Sequence, residues 1–134
     1  MRSVVAYIGV GSNIGDRKAN IERAIKIMSL IRGLKLLKVS TMYETDPVGG
    51  PEQGKFLNGA LKLRTSMSAP RLLGHMKEIE KIIGRKRTVR NGPRIIDLDI
   101  LLFGNKKIKT GDLMIPHPRM QKREFVLRPL RELV

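Results

Sequence analysis

The sequence predicts an α+β fold: a mostly antiparallel sheet covered by helices, on a βαββαβ core with an added hairpin strand. Three observations carry this reading. Apolar residues recur at helical spacing in two segments, 21–28 and 72–83. Short runs of strand-like composition flank each of those segments. Glycine and proline gather between the runs, where the chain must reverse.

Taken in order, Val4 to Val10 reads as a short buried strand running into Gly11, Ser12, Asn13, Ile14 and Gly15. Asp16 can cap a helix, since a short carboxylate satisfies a free first-turn N–H. The helix then lines up Ile21, Ala24, Ile25 and Met28 as one stripe, and Gly33 ends it. A second strand runs from about Leu34 to Thr45. Residues 46–55 hold Pro47, Gly49, Gly50, Pro51 and Gly54, a loop that is long for a hairpin connection. Phe56 to Thr65 is the third strand, with Leu57, Leu61 and Leu63 on one face and Gly59 between them. Ser68 caps a second helix with Pro70 in its first turn, Leu72, Met76, Ile79 and Ile83 as its apolar stripe, and Gly84 closing it. An arginine-rich loop leads into a fourth strand that ends at Phe103. Gly104 and Asn105 turn the chain into a basic strand, Lys106 to Lys109. The tail holds Ile115-Pro116-His117-Pro118-Arg119 and a short apolar end. This order is the split βαβ, or ferredoxin-like, pattern. No repeat, linker or low-complexity stretch interrupts it, so residues 1–134 read as a single domain.

The 134 residues suffice for one domain with a real core, and a hydrophobic content of 41% is that of a globular chain. No run of about 18 apolar residues predicts a membrane span, and the N-terminus has no signal-peptide cleavage pattern. Zero cysteines exclude disulfides and thiolate metal sites and fit a cytoplasmic protein. The net charge of +15 calls for an anionic partner: nucleotide, nucleic acid or acidic lipid.

The chemistry concentrates at residues 91–103. Asp97 and Asp99 sit two apart in an apolar run, so in a strand they share a face, roughly 7 Å apart along it. Two like charges there oppose strand formation. A divalent cation removes the conflict, and Mg²⁺ suits best, because it takes one or two carboxylates and fills its remaining positions with water and phosphate. Arg85, Lys86, Arg87, Arg90 and Arg94 lie within ten residues that contain no acid. A lone Asp-x-Asp is often the wet face of an edge strand, and an arginine run alone is more often a solvated loop or a nucleic-acid patch. Together they point to a site for a metal–polyphosphate complex, each half supplying what the other lacks.

Other residues stand out. Glu80 borders the apolar stripe of the second helix and points toward the arginine loop; it either snorkels to solvent or serves the site, orienting an arginine or meeting a base or ribose. The turn at 11–15 could cradle a phosphate, but it lacks P-loop spacing and its lysine, and a plain strand–helix turn is the better reading. His117, fixed between two prolines with Arg119 and Arg123 close by, reads as part of an anion site. Phe56 and Phe125 read first as core. Phe56 nevertheless opens a strand with Asn58 on the same face, a pairing that could stack on and hydrogen-bond to a flat heterocycle.

At this point the chain resembles the 6-hydroxymethyl-7,8-dihydropterin pyrophosphokinase family of folate biosynthesis. The resemblance runs from Tyr7-Ile8-Gly9-Val10-Gly11-Ser12-Asn13 to the end. Its most specific segment is Arg90-Asn91-Gly92-Pro93-Arg94-Ile95-Ile96-Asp97-Leu98-Asp99-Ile100-Leu101. Residues 43–49, Phe56-Leu57-Asn58, Ile79-Glu80, 84–87 and 116–120 match in order. The resemblance implies transfer of pyrophosphate from ATP to the pterin hydroxymethyl group, with release of AMP. It implies that Asp97 and Asp99 hold two Mg²⁺ ions, and that Arg85 and Arg94 belong with them to the catalytic set. Arg85, Arg87, Arg94, His117 and Arg123 would contact the triphosphate, and Glu80 and Ile100 would complete the ATP site. Thr45, Val48 and Asn58 would read the pterin edge, with Phe56 and Phe125 on either side of its ring. It further implies a cytoplasmic monomer with no nucleic-acid or membrane partner. Two departures are visible: many members carry Trp where Asn91 stands, and many continue beyond the residue corresponding to Val134.

The main competing reading is a nucleic-acid-binding module, since the RNA-recognition motif is also a ferredoxin-like sheet. The aromatic-rich central strands of that motif are missing here, and Asp97 and Asp99 would repel a phosphate backbone. A regulatory domain that binds nucleotide without turnover is the third reading.

Overall fold

The computed structural model describes residues 2–86, 89, 92–118, 120 and 123–134. The first elements are strand β1 (Val4–Ser12), helix α1 (Arg17–Ser29), strands β2 (Leu34–Val39), β3 (Tyr43–Thr45) and β4 (Phe56–Thr65), and helix α2 (Ala69–Ile83). Strands β5 (Asp97–Phe103), β6 (Ile108–Lys109) and β7 (Met114–Ile115) follow, and helix α3 (Glu124–Arg131) comes last. The main sheet is antiparallel throughout and runs β2-β4-β1-β5, with β3 also paired to β4.

Local signals explain the helices. Asp16 accepts the Ala19 N–H at 3.1 Å and starts α1, and Ser68 accepts the Arg71 N–H at 3.3 Å and starts α2. Gly84, at a φ of 111°, closes α2 in the left-handed region that glycine enters without penalty. That reversal brings the Arg85 N–H back onto the Glu80 carbonyl at 2.9 Å.

The core lies on one face of the sheet. Ile8 and Val10 of β1, Leu61 and Leu63 of β4, and Leu98 and Ile100 of β5 pack against Ile21 and Met28 of α1 and against Leu72, Met76 and Ile79 of α2. Strand alternation sends Gly9, Gly11, Asn58, Asp97 and Asp99 to the opposite face. There a second cluster joins Leu101, Met120 and Leu130, with Tyr7, Leu102 and Val126 around it, and seats α3. A register shift between Tyr7 and Ile8 in the β1–β5 ladder lets Leu101 and Leu102 both turn to that side while Phe103 returns to the main core.

The structure corrects several boundaries. The strand expected over 34–45 is broken: Ser40 Oγ takes the Ala60 N–H at 2.8 Å, and Tyr43–Thr45 resumes the pairing beyond it. Helix α1 stops at Ser29 with Leu30 as its cap, and Gly33 (φ 92°) serves the following turn instead. The basic strand shortens to Ile108–Lys109 and pairs with Met114–Ile115 in a separate two-stranded sheet. The apolar end is α3, with Pro129 inside it.

Candidate active site

The face opposite α1 and α2 carries a cleft. Its floor is β1, where Gly9 and Gly11 alternate with Ile8 and Val10. A Cβ on Gly11 would lie 2.5 Å from Asn58 Oδ1, and one on Gly9 would meet the Leu101 side chain at 3.4 Å. Bare backbone therefore leaves room there.

One end of the cleft is apolar and amide-lined. Thr45, Val48, Phe56 and Asn58 line it from β3, the 46–55 loop and β4, while Phe125 and Val126 line it from α3. Pairing of Thr45 with Phe56 and of Tyr43 with Asn58 sets this edge. Asn58 Nδ2 donates to Thr45 Oγ1 at 2.6 Å and fixes the amide. Helix α3 is tied to the same edge: Glu132 accepts the Thr41 N–H at 2.9 Å and the Tyr43 hydroxyl, and the Arg128 guanidinium lies 4.1 Å from the Tyr43 ring centroid.

The other end is ionic. Asp97 and Asp99 enter it from β5, with Arg94, His117 and Arg123 around them. Arg85 Nη1 donates to Asp97 Oδ1 at 3.1 Å and also to Glu80, and Arg94 Nη1 donates to Asp97 Oδ2 at 3.3 Å. Glu80 is buried and accepts the Leu98 N–H at 2.9 Å, so a helix side chain holds the strand residue between the two aspartates. Burial raises the Glu80 carboxyl above the usual range, against the Leu98 N–H and Arg85, which favour its charge. Burial pushes the Asp99 carboxyl up to about 8, helped by Asp97 and Glu80 and opposed by Arg94 and Arg85. Two aspartates so placed resist joint ionisation unless a cation stands between them. Among the described residues no three of His, Cys, Asp or Glu are placed to hold a metal ion together. The two carboxylates alone would leave most of a cation's coordination to a ligand's oxygens and water.

The expected residues are distributed as follows. Thr45, Val48, Phe56, Asn58, Arg94, Asp97, Asp99, His117, Arg123 and Phe125 all line this single cleft. Glu80 and Arg85 stand behind it, linked to Asp97. The Ile100 side chain is buried in the main core, so only its main chain, on the outer strand of the sheet, is left to meet a ligand. Arg87, Arg90, Asn91 and Arg119 lie outside the described residues. Sequence reasoning missed the glycine floor, although strict alternation of glycine with large apolar residues over 8–11 signals a one-faced strand. It also missed Asn13, whose buried side chain bonds to two loops at once.

Comparisons with known proteins give the family. The model of the 7,8-dihydro-6-hydroxymethylpterin-pyrophosphokinase family matches residues 7–134. A 2-amino-4-hydroxy-6-hydroxymethyldihydropteridine pyrophosphokinase of Bacillus subtilis is 48% identical over 96% of this chain and 77% of its own length. A protein of the same name from Aquifex aeolicus is 45% identical over 95% of this chain and 78% of its own. The folic acid synthesis protein fol1 of Schizosaccharomyces pombe is 44% identical over 98% of this chain, which spans only 18% of that protein. The chain belongs to the 7,8-dihydro-6-hydroxymethylpterin-pyrophosphokinase family.

Proposed function

We propose that this chain transfers pyrophosphate from ATP to the hydroxymethyl group of 6-hydroxymethyl-7,8-dihydropterin, releasing AMP, as a step of folate biosynthesis. The supporting observation is the single cleft that joins an aromatic, amide-lined end to a carboxylate pair set among arginines. A flat heterocycle would lie between Phe56 and Phe125, with Asn58, Thr45 and the main chain near Val48 at its polar edge. A polyphosphate fits the ionic end, within reach of Arg85, Arg94, His117 and Arg123, with Glu80, Ile100 and Arg87 completing the ATP site.

Asp97 and Asp99 would hold Mg²⁺, two ions by analogy with the family, and the metal would neutralise the phosphate oxygens and the charge that develops on them. The protein's own contribution is positioning and charge. Phosphoryl-type transfer leaves little covalent work to a protein. Arg85 and Arg94, held on Asp97 in this structure, would exchange that carboxylate for phosphate oxygens. The floor at Gly9 and Gly11 lets the alcohol approach the β-phosphorus along the sheet. The catalytic set on this reading is Arg85, Arg94, Asp97 and Asp99.

The same reading takes residues 1–134 as one ferredoxin-like pterin pyrophosphokinase domain with an added hairpin. The order β2-β4-β1-β5 supports it. On this reading it works as a cytoplasmic monomer without nucleic-acid or membrane partners. The test is direct: incubate the protein with ATP, Mg²⁺ and the pterin alcohol and measure AMP. Pterin-dependent AMP is expected; ADP, or no turnover by folded protein, refutes the proposal.

A further inference from the structure

Asn13 lines none of the cleft, yet it is buried and its amide is fully used. Oδ1 accepts the Arg94 N–H at 2.7 Å. Nδ2 donates to Gln53 Oε1 at 2.8 Å and to the Gly54 carbonyl at 3.0 Å. The Asn13 main-chain N–H donates to the Arg94 carbonyl at 3.0 Å. One side chain at the end of β1 therefore binds two segments distant in sequence: the end of the 46–55 loop, which carries Val48 to the apolar end of the cleft, and the turn that carries Arg94 to the ionic end.

A carboxamide suits this place because it offers an acceptor and two donors in one plane. Aspartate, equal in size, keeps the acceptor for Arg94 and loses both donors, leaving a charge against the Gly54 carbonyl. Burial raises the consequence, since an unmet polar group away from water is costly.

From this we infer that Asn13 is a positioning residue that ties the loop at the apolar end of the cleft to the arginine at the ionic end, so that the two binding regions are held in register. It lies outside the cleft lining and would act through the segments it holds. The inference deepens the pyrophosphokinase reading and rests on it for the identity of the two ligands; the pinning of the two segments is independent of it.

The experiment compares wild type with Asn13→Asp by amide hydrogen exchange, and by KM for each substrate. In Asn13→Asp, exchange over residues 50–55 should quicken at least tenfold while 92–94 stays within twofold. The KM for the pterin alcohol should rise about tenfold, with that for ATP changed less than twofold. Gln53→Ala, a loop variant that leaves the buried residues intact, should quicken exchange in the same segment by about threefold. Wild-type exchange at 50–55 in both variants, or acceleration spread evenly over the sheet, overturns the inference, because a merely structural asparagine would loosen the fold as a whole. Equal rises in both KM values overturn it as well. Should the wild-type protein form no AMP, the activity reading fails, and the exchange comparison still decides the role of Asn13.

Discussion

Glu80 of α2 accepts the main-chain N–H of Leu98, the residue between Asp97 and Asp99, at 2.9 Å. The same carboxylate oxygen takes Arg85. One buried side chain thus sets both the height of the aspartate strand and the position of an arginine. Glu80→Ala leaves the Leu98 N–H and Arg85 without that acceptor, at a cost of about 1–3 kcal/mol. For a domain of this size each kcal/mol lowers Tm by roughly 3–5 °C. Glu80→Gln keeps an oxygen for Leu98 and should retain most of the stability while still weakening the hold on Arg85. Thermal unfolding of the two variants decides, and an alanine variant melting within a degree of wild type would remove the structural role.

Asp99 gives a pH dependence with a definite sign. Its folded carboxyl titrates at about 8 against an ordinary 3.8, so between those values the folded state binds more protons than the unfolded state. Stability from this group is fully present below the unfolded value and is lost as pH rises toward 8, by at most about 1.4 kcal/mol per pH unit. In chelator, denaturant melts from pH 5 to 8 should therefore show declining stability, and Asp99→Asn should flatten the decline. Asp97 is paired with Arg85 and Arg94, so Asp97→Ala should lower Tm at neutral pH. Both substitutions should reduce turnover by more than tenfold, about 1.4 kcal/mol of barrier. A flat profile in wild type would contradict the crowding of carboxylates described here.

The glycine floor makes a paired prediction. A methyl group on Gly11 collides with Asn58 Oδ1, whose amide also donates to Thr45. A methyl group on Gly9 has the Leu101 side chain as its nearest neighbour, at 3.4 Å. Gly11→Ala should therefore raise the KM for the pterin alcohol at least tenfold and leave that for ATP within twofold. Gly9→Ala should cost less than threefold in either. Steady-state kinetics with each substrate varied in turn separates the two, and equal behaviour of the variants would show that Asn58 is not held against this floor.

How much of this was legible in the sequence follows from which interactions are local. Helix starts at Asp16 and Ser68 and the left-handed stop at Gly84 depend on neighbours in sequence, so they could be read directly. The Asp97–Asp99 face needed only strand alternation. The break at Ser40 was hidden because it depends on Ala60, twenty residues away, taking a side-chain oxygen in place of a ladder bond. Helix α3 was read only as a short apolar end: Val126, Leu130 and Leu133 recur at helical spacing, but Pro129 inside the segment disfavours a helix. What seats it is Leu101, whose direction comes from a register shift that no pattern displays. The links of Glu80 and Asn13 to distant main chain were invisible for the same reason, although Glu80 was noticed as a carboxylate at the border of an apolar stripe.

That seating of α3 carries the last prediction. Phe125 and Val126 form one wall of the apolar end of the cleft, and their helix is anchored by Leu130 against Leu101 and Met120. Leu130 is 6% exposed and lies more than a helical turn from Phe125, away from the cleft lining. Leu130→Ala removes buried carbons that neighbours cannot fully replace, at a cost of about 2–5 kcal/mol. Because α3 contacts β3 and β4 rather than the core under α1 and α2, that loss should loosen the helix before it unfolds the sheet. On the proposed reading ATP is held by β5 and the arginines, so the KM for the pterin alcohol should rise severalfold as Phe125 loses its fixed position, while ATP binding should hold within twofold. Leu130→Met, similar in volume, should restore both stability and pterin affinity. Fluorescence or calorimetric titration of each ligand against the two variants measures this. Equal weakening of both ligands by Leu130→Ala would mean that α3 supports the whole sheet, and that its role at the aromatic end is not separable.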